Sequence, residues 1–527
     1  MIPIASVTQM RECDRITINE LGIPGSILME NASRAVAERV ISLLDNQPEG
    51  KQVAIFCGKG NNGGDGYAIA RHLKTHQAEV TVFTTTRTNE LSGDALWSAE
   101  LFIERGGTVC LLDPDSIANL LNSSKGKTSS SFDQPALFVD ALLGTGFRGT
   151  PDGITTSLIN FINSYSSVLV IAVDIPSGVA GDTGVVETVA VRAVETVTFG
   201  LKKPGLLLEP GRSYAGNVTV ADIGISPEVV GKQAISLFET TYSAVQELLP
   251  RRPVTAHKGS VGHAYIIAGS PGMTGSATLS ALACQRTGAG LTVVGIPASL
   301  NAIMEVKLTE AMTQPLPENG NHHLALTALP YVVTKLEWAD AVAFGPGVST
   351  DIGTGALLSG ILDVIERPLV IDADGLTLLS LNRHLLENLP KNVVLTPHPG
   401  EFSRLTGLTV KEIERDRVSH GRKYAVKWGV TLVLKGAPTI IALPSGAVYI
   451  NPTGNPGMAT GGSGDVLTGV IVSLIAQGLT VGSAAIASVY IHGLAGDRAA
   501  NKLGQAGMIA SDILAELPEV IKDMVGI

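Results

Sequence analysis

Two glycine-rich segments contain the residues of this chain best suited to chemistry, and each lies between an apolar run and a segment with helical spacing. The first covers residues 58–66 and follows the apolar run at 53–57. Glycines let the backbone approach a phosphate closely, and a helix N-terminus favours an anion. The spacing differs from both the dinucleotide fingerprint and the P-loop pattern. The segment is therefore either an unusual phosphate-binding loop or a plain turn in which Asp65 caps a helix.

Two more polar loops begin after later apolar runs, at Asp140 and at Asp174. The carboxyl ends of parallel strands converge on one crevice, so we expect all three loops to face one ligand. Asn62, Asp140 and Ser177 offer the hard oxygen atoms that a cation prefers. Asp174 is suited to moving a proton. The alternative for each carboxylate is a hydrogen bond to turn backbone, but polar loops at three strand ends favour a ligand site.

The second glycine-rich segment spans residues 451–465 and runs into a helical pattern at 465–476. The backbone amides around Ser463 and Gly464 can bind negative charge as it develops on a ligand. Asp465 is placed to take a proton from a hydroxyl group or from water. The alternative is that Asp465 only caps the helix, although a glycine-rich loop of this length usually carries function.

Other polar residues in the same half also follow apolar runs. His398 lies between two prolines and beside Glu401, which favours a ligand contact over a structural role. Lys435 precedes turn residues whose amides, with its ammonium group, could bind a phosphate. Three further polar segments occur at residues 269–275, 344–347 and 372–374.

These residues need a scaffold, and the chain alternates short apolar runs with helical segments. That alternation is typical of a parallel sheet covered on both faces, so both halves are predicted to be α/β. Pro444-Ser445-Gly446, between two apolar runs, predicts a hairpin. Strands are predicted at residues 53–57, 80–83, 137–140, 168–173, 218–223, 264–268, 291–295, 341–344, 369–372, 393–395, 431–434, 440–443 and 448–450. Helices are predicted at residues 67–74, 465–476 and 483–494, and a polar surface loop at 122–131.

Composition limits the classes of protein that the chain can be. Its 527 residues suggest two or three domains, and we predict a boundary near residues 226–232. With 45% hydrophobic and 16% charged residues it is not a disordered chain. The net charge of −10 argues against a nucleic-acid binder, which needs a basic face.

The cysteines and the apolar segments restrict the site chemistry and the location. The four cysteines are far apart, which argues against a zinc site or a disulfide framework, and Cys57 is predicted to be an inert core thiol. No apolar window reaches 18 residues and the first residues do not resemble a signal peptide, so we expect no membrane span and a cytoplasmic location.

The three loops of the first half, together with residues 10–14 and 29–32, resemble the epimerase domain of the NAD(P)H-hydrate repair family, the YjeF N-terminal domain. The resemblance covers residues 1–228 and implies a Rossmann-like, doubly wound parallel sheet. It implies potassium at Asn62, Asp140 and Ser177. It also implies that Asp174 is the acid/base at C6 of the hydrated ring, where the R and S forms interconvert. The implied contacts of the hydrated nucleotide are Asn61, Asn62, Gly63, Gly64, Asp65, Gly144, Thr145, Gly146, Phe147, Arg148, Gly149, Thr150 and Asp174.

The second half, residues 229–527, is similar to the dehydratase domain of the same family, which has a ribokinase-like α/β fold. The motifs that carry the resemblance are His-Lys-Gly at 257–259, Gly-Pro-Gly at 345–347, Pro-His-Pro-Gly-Glu at 397–401, Leu-Lys-Gly at 434–436 and Gly-Gly-Ser-Gly-Asp at 461–465. The implied nucleotide contacts are Lys435, Gly436, Ala437, Pro438, Thr439 and Gly464. The implied hydrate contacts are Ala277, Gly347, His398 and Asp465.

Together the two resemblances imply a bifunctional enzyme, an isomerase and lyase that repairs NADHX and NADPHX. The first domain would interconvert the R and S hydrates. The second would phosphorylate the S hydrate with ADP or ATP and magnesium, with Asp465 as the base, and eliminate phosphate to restore NAD(P)H. AMP or ADP would be released. The resemblance also suggests a homo-oligomer, and leaves open which nucleotide is used.

Two alternatives remain at this stage. The second half could be a kinase for a small vitamin-like alcohol, because ribokinase-like kinases share the glycine-rich loop and its terminal aspartate. Release of a stable phosphorylated alcohol, instead of inorganic phosphate, would identify such a kinase. The first half could also be a binding or scaffold module without catalysis, although intact Asn62, Asp140, Asp174 and Ser177 favour catalysis.

Overall fold

The computed structural model describes residues 1–113, 116 and 135–526, and it divides into two compact units. One unit is Pro3–Ile235, and the other is Ser236–Ile527 together with Met1–Ile2. The predicted boundary between residues 228 and 229 falls inside a short helix. Val229 of that helix is buried in a cluster with Met10 and Cys13, so the helix belongs to the first unit. The loop predicted at residues 122–131 lies outside the described residues.

The first unit contains a seven-stranded sheet in which every neighbouring pair of strands is parallel. Strand β1 (Ile2–Pro3) comes first in the chain but belongs to the other sheet. The strands of the first sheet are β2 (Gln52–Cys57), β3 (Glu79–Thr84), β4 (Thr108–Leu111), β5 (Leu137–Ala141), β6 (Leu169–Val173), β7 (Glu195–Phe199) and β8 (Asn217–Ala221). Their order is β4-β3-β2-β5-β6-β7-β8, with β2 and β5 adjacent at the point where the order reverses.

Two helices of the first unit precede the first strand of this sheet, and the other helices follow its strands along the chain. The helices are α1 (Val7–Asn19), α2 (Gly25–Leu43), α3 (Asn61–Thr75), α4 (Gly93–Glu104), α5 (Gly153–Ser164), α6 (Gly211–Ala215) and α7 (Pro227–Gly231). The central strand β5 is buried along its whole length, as expected for parallel strands covered on both faces. The predicted doubly wound, Rossmann-like sheet is therefore confirmed.

The second unit contains a mixed sheet in the order β1-β9-β18-β17-β16-β15-β14-β13-β10-β11-β12. Its strands are β9 (Leu237–Glu239), β10 (His263–Ile267), β11 (Leu291–Pro297), β12 (Met312–Leu316), β13 (Ala341–Phe344), β14 (Leu369–Ile371), β15 (Val393–Leu395), β16 (Thr431–Leu434), β17 (Ile440–Ala442) and β18 (Val448–Ile450). Strands β10 to β16 pair in parallel, whereas β17 pairs antiparallel with both of its neighbours. The predicted hairpin around Pro444 is therefore confirmed.

Helices of the second unit are α8 (Tyr242–Leu248), α9 (Thr274–Thr287), α10 (Asn301–Lys307), α11 (Leu329–Trp338), α12 (Ile352–Val364), α13 (Asp374–Leu381), α14 (Pro399–Thr406), α15 (Val410–Arg415), α16 (Arg417–Trp428), α17 (Ser463–Ala476), α18 (Val481–Leu503) and α19 (Ala510–Val525). Helix α17 is buried from Val466 to its end. It packs so closely on α9 that a side chain at Gly469 would overlap the carbonyl oxygen of Ser280. The predicted α/β class and ribokinase-like fold of this half are confirmed.

In the part of the chain that the structure describes, no helix combines the length and the apolar character needed to cross a membrane.

Candidate active sites

The glycine-rich loop of the first unit connects β2 to helix α3. The residue that caps α3 is Gly60, and no side chain donates or accepts a capping bond there. Asp65 instead lies inside the helix, 7% exposed, with its Oδ1 atom 3.4 Å from Ser33 Oγ. Burial, and secondarily the charge of Asp174, raise the pKa of Asp65 well above its usual value. The interpretation of Asp65 as a helix cap is therefore wrong.

Close backbone approach explains why this loop is built from glycines. A β-carbon at Gly58 would overlap the carbonyl group of Leu142, and one at Gly63 would overlap the carbonyl group of Gly58. The side chain of Asn62 donates from Nδ2 to the carbonyl oxygen of Leu143 at 3.1 Å. The loops after β2 and β5 are thus packed directly on each other, as the convergence of parallel strand ends requires.

Asp140 and Ser177 form a buried polar group beside Asn62. Ser177 donates to the Asp140 carboxylate twice, from its amide at 2.8 Å and from its hydroxyl at 2.6 Å. The same hydroxyl accepts the amide of Leu143 at 2.9 Å. Asp140 is completely buried. Its burial raises its pKa to about 6, although these hydrogen bonds lower the pKa. Its donors are neutral, so a bound cation would compensate the desolvation of the carboxylate, and the oxygen-rich donor set fits an ion such as potassium.

The remaining predicted contacts of this site lie mainly on an exposed turn that begins next to Asn62. Gly144 is close enough that a β-carbon there would be 3.1 Å from Asn62 Cβ. The amide of Phe147 closes the turn by donating to Gly144 O at 3.0 Å, and Thr145 O accepts a 3.4 Å bond from Arg11. The exposed members of the turn are Gly146, Arg148, Gly149 and Thr150.

Asp174 follows β6 and is paired with a lysine that the sequence analysis did not identify. Lys203 Nζ donates to Asp174 Oδ1 at 2.6 Å and also to Thr198 Oγ1 and Phe199 O, both at 2.9 Å. Asp174 Oδ1 additionally accepts Thr198 Oγ1 at 3.1 Å and the Phe199 amide at 3.2 Å. All of these donors bind Oδ1, so Oδ2 is the oxygen available to a ligand.

Lys203 could have been found had strand β7 been recognised. Glu195–Phe199 contains two threonines and begins with a glutamate, so it lacks the continuous apolar character that identified its neighbours. Yet its residues are buried, and β7 pairs directly with β6. A lysine a few residues beyond such a strand end is the signal that the sequence analysis missed.

Two further carboxyls surround this lysine–aspartate pair. Burial raises the pKa of Asp14, on helix α1, to about 6, with Lys203 lowering it and Asp174 raising it. Asp65 is also influenced by the charges of Asp174 and Asp14. Three acids and one lysine therefore interact in this site, and perturbed carboxyls at the end of a sheet are typical of functional sites.

The second site is centred on the beginning of helix α17. Its N-cap is Gly462, which has a φ of +91° and makes no side-chain capping bond. Asp465 lies in the first turn and does not cap the helix, so that alternative is wrong. Burial raises the pKa of Asp465 to about 6, while a hydrogen bond from Ser276 lowers it. A partly desolvated carboxyl in the first turn of a helix is suited to exchanging a proton with a bound ligand.

A second lysine–aspartate pair lies beside Asp465. Lys435 Nζ donates to Asp372 Oδ1 at 2.8 Å, and Thr468 Oγ1 donates to Asp372 Oδ2 at 2.8 Å. Burial alone would raise the pKa of Asp372, but the ammonium group of Lys435 holds it below the usual value. A β-carbon at Gly464 would be only 3.3 Å from Lys435 Nζ. The lysine and the amides of α17 therefore share one anion-binding position.

The loop between β16 and β17 carries the other predicted nucleotide contacts. Gly436 and Ala437 are exposed and Pro438 is buried. Thr439 Oγ1 donates to Gly436 O at 3.1 Å, which closes the turn. Exposed glycine and alanine next to an ammonium group leave the backbone of this loop open to a ligand.

His398 has a structural role, and its predicted ligand contact stays a prediction. It is the N-cap of α14, and its Nδ1 atom accepts the amides of Gly400 at 3.0 Å and Glu401 at 3.3 Å. The other ring nitrogen, Nε2, is therefore the one that carries the proton in the neutral ring. The side chain is 51% exposed, so Nε2 can still donate to a ligand.

The two remaining predicted hydrate contacts lie on either side of Ser276, which bonds to Asp465. A β-carbon at Gly347 would be 3.2 Å from Ser276 Cβ. Ala277 is completely buried in the hydrophobic core, close to Gly269. The structure therefore brings Gly347, Ser276 and Asp465 together, and it places the methyl group of Ala277 in the core.

A family model described as NAD(P)H-hydrate dehydratase matches residues 264–519, and one described as YjeF-related protein N-terminus matches residues 25–205. The bifunctional NAD(P)H-hydrate repair enzyme of Moorella thermoacetica is 43% identical over 99% of this chain and 97% of its own length. The enzyme of the same description from Escherichia coli K12 is 34% identical over 97% of this chain and 92% of its own length.

A solved structure resembles part of the chain. It is the ADP/ATP-dependent NAD(P)H-hydrate dehydratase of Bacillus subtilis, co-crystallised with ATP and Mg²⁺, which is 30% identical. The match covers 55% of this chain and all of that one, with a TM-score of 0.48.

Proposed function

The chain belongs to the family of bifunctional NAD(P)H-hydrate repair enzymes, and we propose that Asp174 carries its epimerase reaction and Asp465 its dehydratase reaction. The observation that supports this most directly is that each unit has its own lysine–aspartate pair at the carboxyl ends of its strands. Two sites, each formed by residues of its own unit, are what two successive reactions on one substrate require. The epimerase reaction belongs to the unit Pro3–Ile235 and the dehydratase reaction to the unit that starts at Ser236.

In the first unit, the C6 carbon of the hydrate bears both a hydroxyl group and the ring nitrogen. Asp174 Oδ2 takes the hydroxyl proton, and the bond between C6 and the ring nitrogen opens as that proton passes to the nitrogen. Reclosure on the opposite face of C6 returns the proton and gives the other epimer. Lys203, Thr198 and the Phe199 amide hold the carboxylate in place through Oδ1.

The loop Asn61, Asn62, Gly63, Gly64 and Asp65 and the turn from Gly144 to Thr150 would hold the nucleotide. Asn62, Asp140 and Ser177 would bind potassium, which supplies positive charge beside the ligand when it is bound. The support for this cation is the buried Asp140 carboxylate with its neutral donors.

In the second unit, the S-hydrate hydroxyl attacks the terminal phosphoryl group of ADP or ATP, and Asp465 takes its proton. Lys435 and the amides of Ser463 and Gly464 stabilise the charge on the phosphoryl oxygens. AMP or ADP leaves. Loss of phosphate from C6 together with a proton from C5 then forms the double bond of NAD(P)H.

The nucleotide and hydrate lie on either side of Asp465 in this proposal. Lys435, Gly436, Ala437, Pro438, Thr439 and Gly464 contact the nucleotide, and Gly347, His398 and the backbone at Ala277 contact the hydrate. Mg²⁺ prefers hard oxygens and keeps much of its shell as phosphate and water. Glu401, whose Oε2 atom is 3.9 Å from Lys435 Nζ, offers a carboxylate oxygen close to the phosphate position, and bound Mg²⁺ would neutralise phosphate charge.

The epimerase assignment is tested with Asp174→Asn and the matched control Asp45→Asn. Asp45 is exposed and has a φ of +56°, which asparagine tolerates. Pure R hydrate is incubated with each protein without nucleotide, and conversion to S is followed chromatographically. We expect Asp45→Asn to match the wild type and Asp174→Asn to convert only at the spontaneous rate. Wild-type conversion by Asp174→Asn would refute the assignment.

The dehydratase assignment is tested on pure S hydrate with Asp465→Asn and the exposed control Asp363→Asn. Recovery of the reduced-nicotinamide absorbance and release of inorganic phosphate are measured with Mg²⁺ and either ADP or ATP. We expect equal amounts of both products from the control and neither from Asp465→Asn. A stable phosphorylated alcohol without recovered absorbance would identify a kinase instead.

Other parts of the family resemblance stay proposals. We propose that the chain acts on small molecules as a homo-oligomer in the cytoplasm, without a nucleic-acid or membrane partner. The acidic net charge of −10 supports the nucleic-acid part of this statement. Comparing ADP with ATP in the absorbance experiment decides the nucleotide.

A further inference from the structure

Arg417, the first residue of helix α16, is only 3% exposed although it carries a permanent charge. Burying a guanidinium is costly unless its donors are paired, and Arg417 Nε has no partner among the described residues, so the two Nη groups must supply the pairing. Arg417 Nη1 donates to Glu414 Oε1 at 2.7 Å. The side chain of Glu414 is 44% exposed, and it pairs with the Nη1 side of the guanidinium. The other edge must be satisfied from within the protein.

That pairing comes from a single loop, residues 434–439, which we name the nucleotide loop. Arg417 Nη2 donates to the carbonyl oxygens of Leu434 at 3.0 Å, Lys435 at 3.0 Å and Pro438 at 3.2 Å. Gly436, with a φ of +148°, lies directly over the guanidinium, and a β-carbon there would be 2.5 Å from both Nη atoms. The nucleotide loop is therefore folded around Arg417.

This arrangement also sets the direction of the amides in the loop. In a trans peptide group the N–H points away from the C=O. Since Lys435 and Pro438 turn their carbonyl groups towards Arg417, the amides of the next residues, Gly436 and Thr439, point to the opposite side. Backbone amides that point outward next to an ammonium group are donors that a phosphate can bind.

We propose that Arg417 is a positioning residue for the nucleotide: it holds the nucleotide loop so that the Gly436 and Thr439 amides and Lys435 face a nucleoside phosphate. Arg417 acts through the loop and does not touch the ligand. This inference rests on the proposed assignment of the loop to ADP or ATP.

The experiment compares Arg417→Met, Arg417→Lys and Arg422→Met in the full-length protein. Arg422 is a matched control, because it lies on the same helix and its Nε atom also donates to a carbonyl oxygen, that of Gly446 at 2.9 Å in the hairpin turn. We expect Arg417→Met to raise the KM for ADP or ATP at least tenfold. The KM for S hydrate and the epimerase rate should stay at the wild-type value. Arg417→Lys should recover part of the loss, and Arg422→Met should keep the wild-type nucleotide KM.

A second variant decides the question if Arg417→Met does not fold. Gly436→Ala adds a β-carbon against the guanidinium while keeping Arg417 itself, and we expect it to raise the nucleotide KM about tenfold. A wild-type nucleotide KM in folded Arg417→Met, or in Gly436→Ala where Arg417→Met is not obtained folded, overturns the inference.

Lys435→Met distinguishes failure of this inference from failure of the function it rests on. If Lys435→Met also leaves the nucleotide KM unchanged, the nucleotide loop is not where ADP or ATP binds. If Lys435→Met raises the KM and the Arg417 and Gly436 variants do not, the loop binds nucleotide without help from Arg417.

Discussion

The two units contain the same kind of ion pair with opposite burial. In the first unit Lys203 is 2% exposed and Asp174 is 12% exposed, with 2.6 Å between Nζ and Oδ1. In the second unit Lys435 is 21% exposed and Asp372 is 2% exposed, with 2.8 Å between the corresponding atoms. The first pair therefore offers a carboxylate to the ligand, and the second offers an ammonium group.

The difference in burial indicates how one arrangement serves two reactions. A carboxylate backed by a buried lysine is suited to exchange protons with a neutral ring. An ammonium group backed by a buried aspartate is suited to bind phosphate. The second unit then needs a separate base, and the proposed one is Asp465 in the first turn of α17. Its pKa, raised to about 6 by burial, still leaves it ionised at neutral pH.

The largest effect on stability is expected from Lys203→Met, which leaves the Asp174 carboxylate buried without its cation. Removing one partner of a buried pair typically costs about 3–5 kcal/mol of unfolding free energy. We expect a clear drop in the melting temperature and loss of epimerisation. Lys232→Met is the control, because Lys232 is half-exposed and its partner Glu228 is exposed. Equal melting temperatures for the two variants would contradict the account of the first pair.

Lys435→Met should lower the free energy of unfolding less than Lys203→Met does. Its main effect should be on the binding of ADP or ATP. Lys435 is one-fifth exposed, so water can partly replace it beside Asp372, but the phosphate loses its ammonium partner. We expect the KM for ADP or ATP to rise more than tenfold, which corresponds to about 1.4 kcal/mol. Steady-state kinetics on S hydrate and thermal unfolding measure the two effects. An unchanged nucleotide KM would show that Lys435 does not face the phosphate.

The pH dependence should distinguish the base of the second unit from its neighbours. Asp465 accepts a proton only in its ionised form, and burial raises its pKa to about 6. The kcat/KM for dehydration should therefore be constant above this value and fall about tenfold per pH unit below it. A profile on S hydrate from weakly acidic to weakly basic buffers tests this. A flat profile well below pH 6 would remove Asp465 from the role of base.

The smallest effects are expected from the hydroxyl groups that support each pair. Thr468→Val removes the donor to Asp372 Oδ2, and Thr198→Val removes a donor to Asp174 Oδ1. Each loses one hydrogen bond to a carboxylate that keeps its lysine partner, so we expect a loss of less than about tenfold, or about 1.4 kcal/mol. Thr468→Val should affect only nucleotide KM, and Thr198→Val only epimerisation. A change of the epimerisation rate in Thr468→Val, or of the nucleotide KM in Thr198→Val, would contradict two independent sites.

Much of the fold could be predicted because parallel strands that are buried on both faces read as apolar runs. Strands β5, β13 and β16 were found in this way. Strand β7 was not, because its buried threonines and Glu195 break the apolar pattern. Glu195 is buried with Arg39 paired to it through two hydrogen bonds and Thr219 through a third, and such a contact between distant parts of the chain is not visible in local sequence.

The candidate sites show the same limit. Loops with glycines and carboxylates could be recognised in sequence, including those of Asp140, Asp174 and Asp465. Asp14 and Arg417 could not, since each gains its role from burial beside residues far along the chain, and Lys203 was missed together with strand β7. The mistaken capping roles of Asp65 and Asp465 have a related cause. In both helices a glycine occupies the cap, which leaves Asp65 in the second turn of its helix and Asp465 in the first turn of its own.

The most direct test of two independent sites mixes two variants, each of which lacks one of the two reactions and keeps the other. Asp174→Asn and Asp465→Asn are combined in equal amounts with R and S hydrates, Mg²⁺ and the preferred nucleotide, and recovery of the reduced-nicotinamide absorbance is followed. Asp174→Asn alone should recover only the S fraction, and Asp465→Asn alone should recover none. The mixture should recover both fractions, because each variant supplies the reaction that the other lacks. A mixture that recovers no more than Asp174→Asn alone, after subtraction of spontaneous epimerisation, would contradict the assignment of one reaction to each unit.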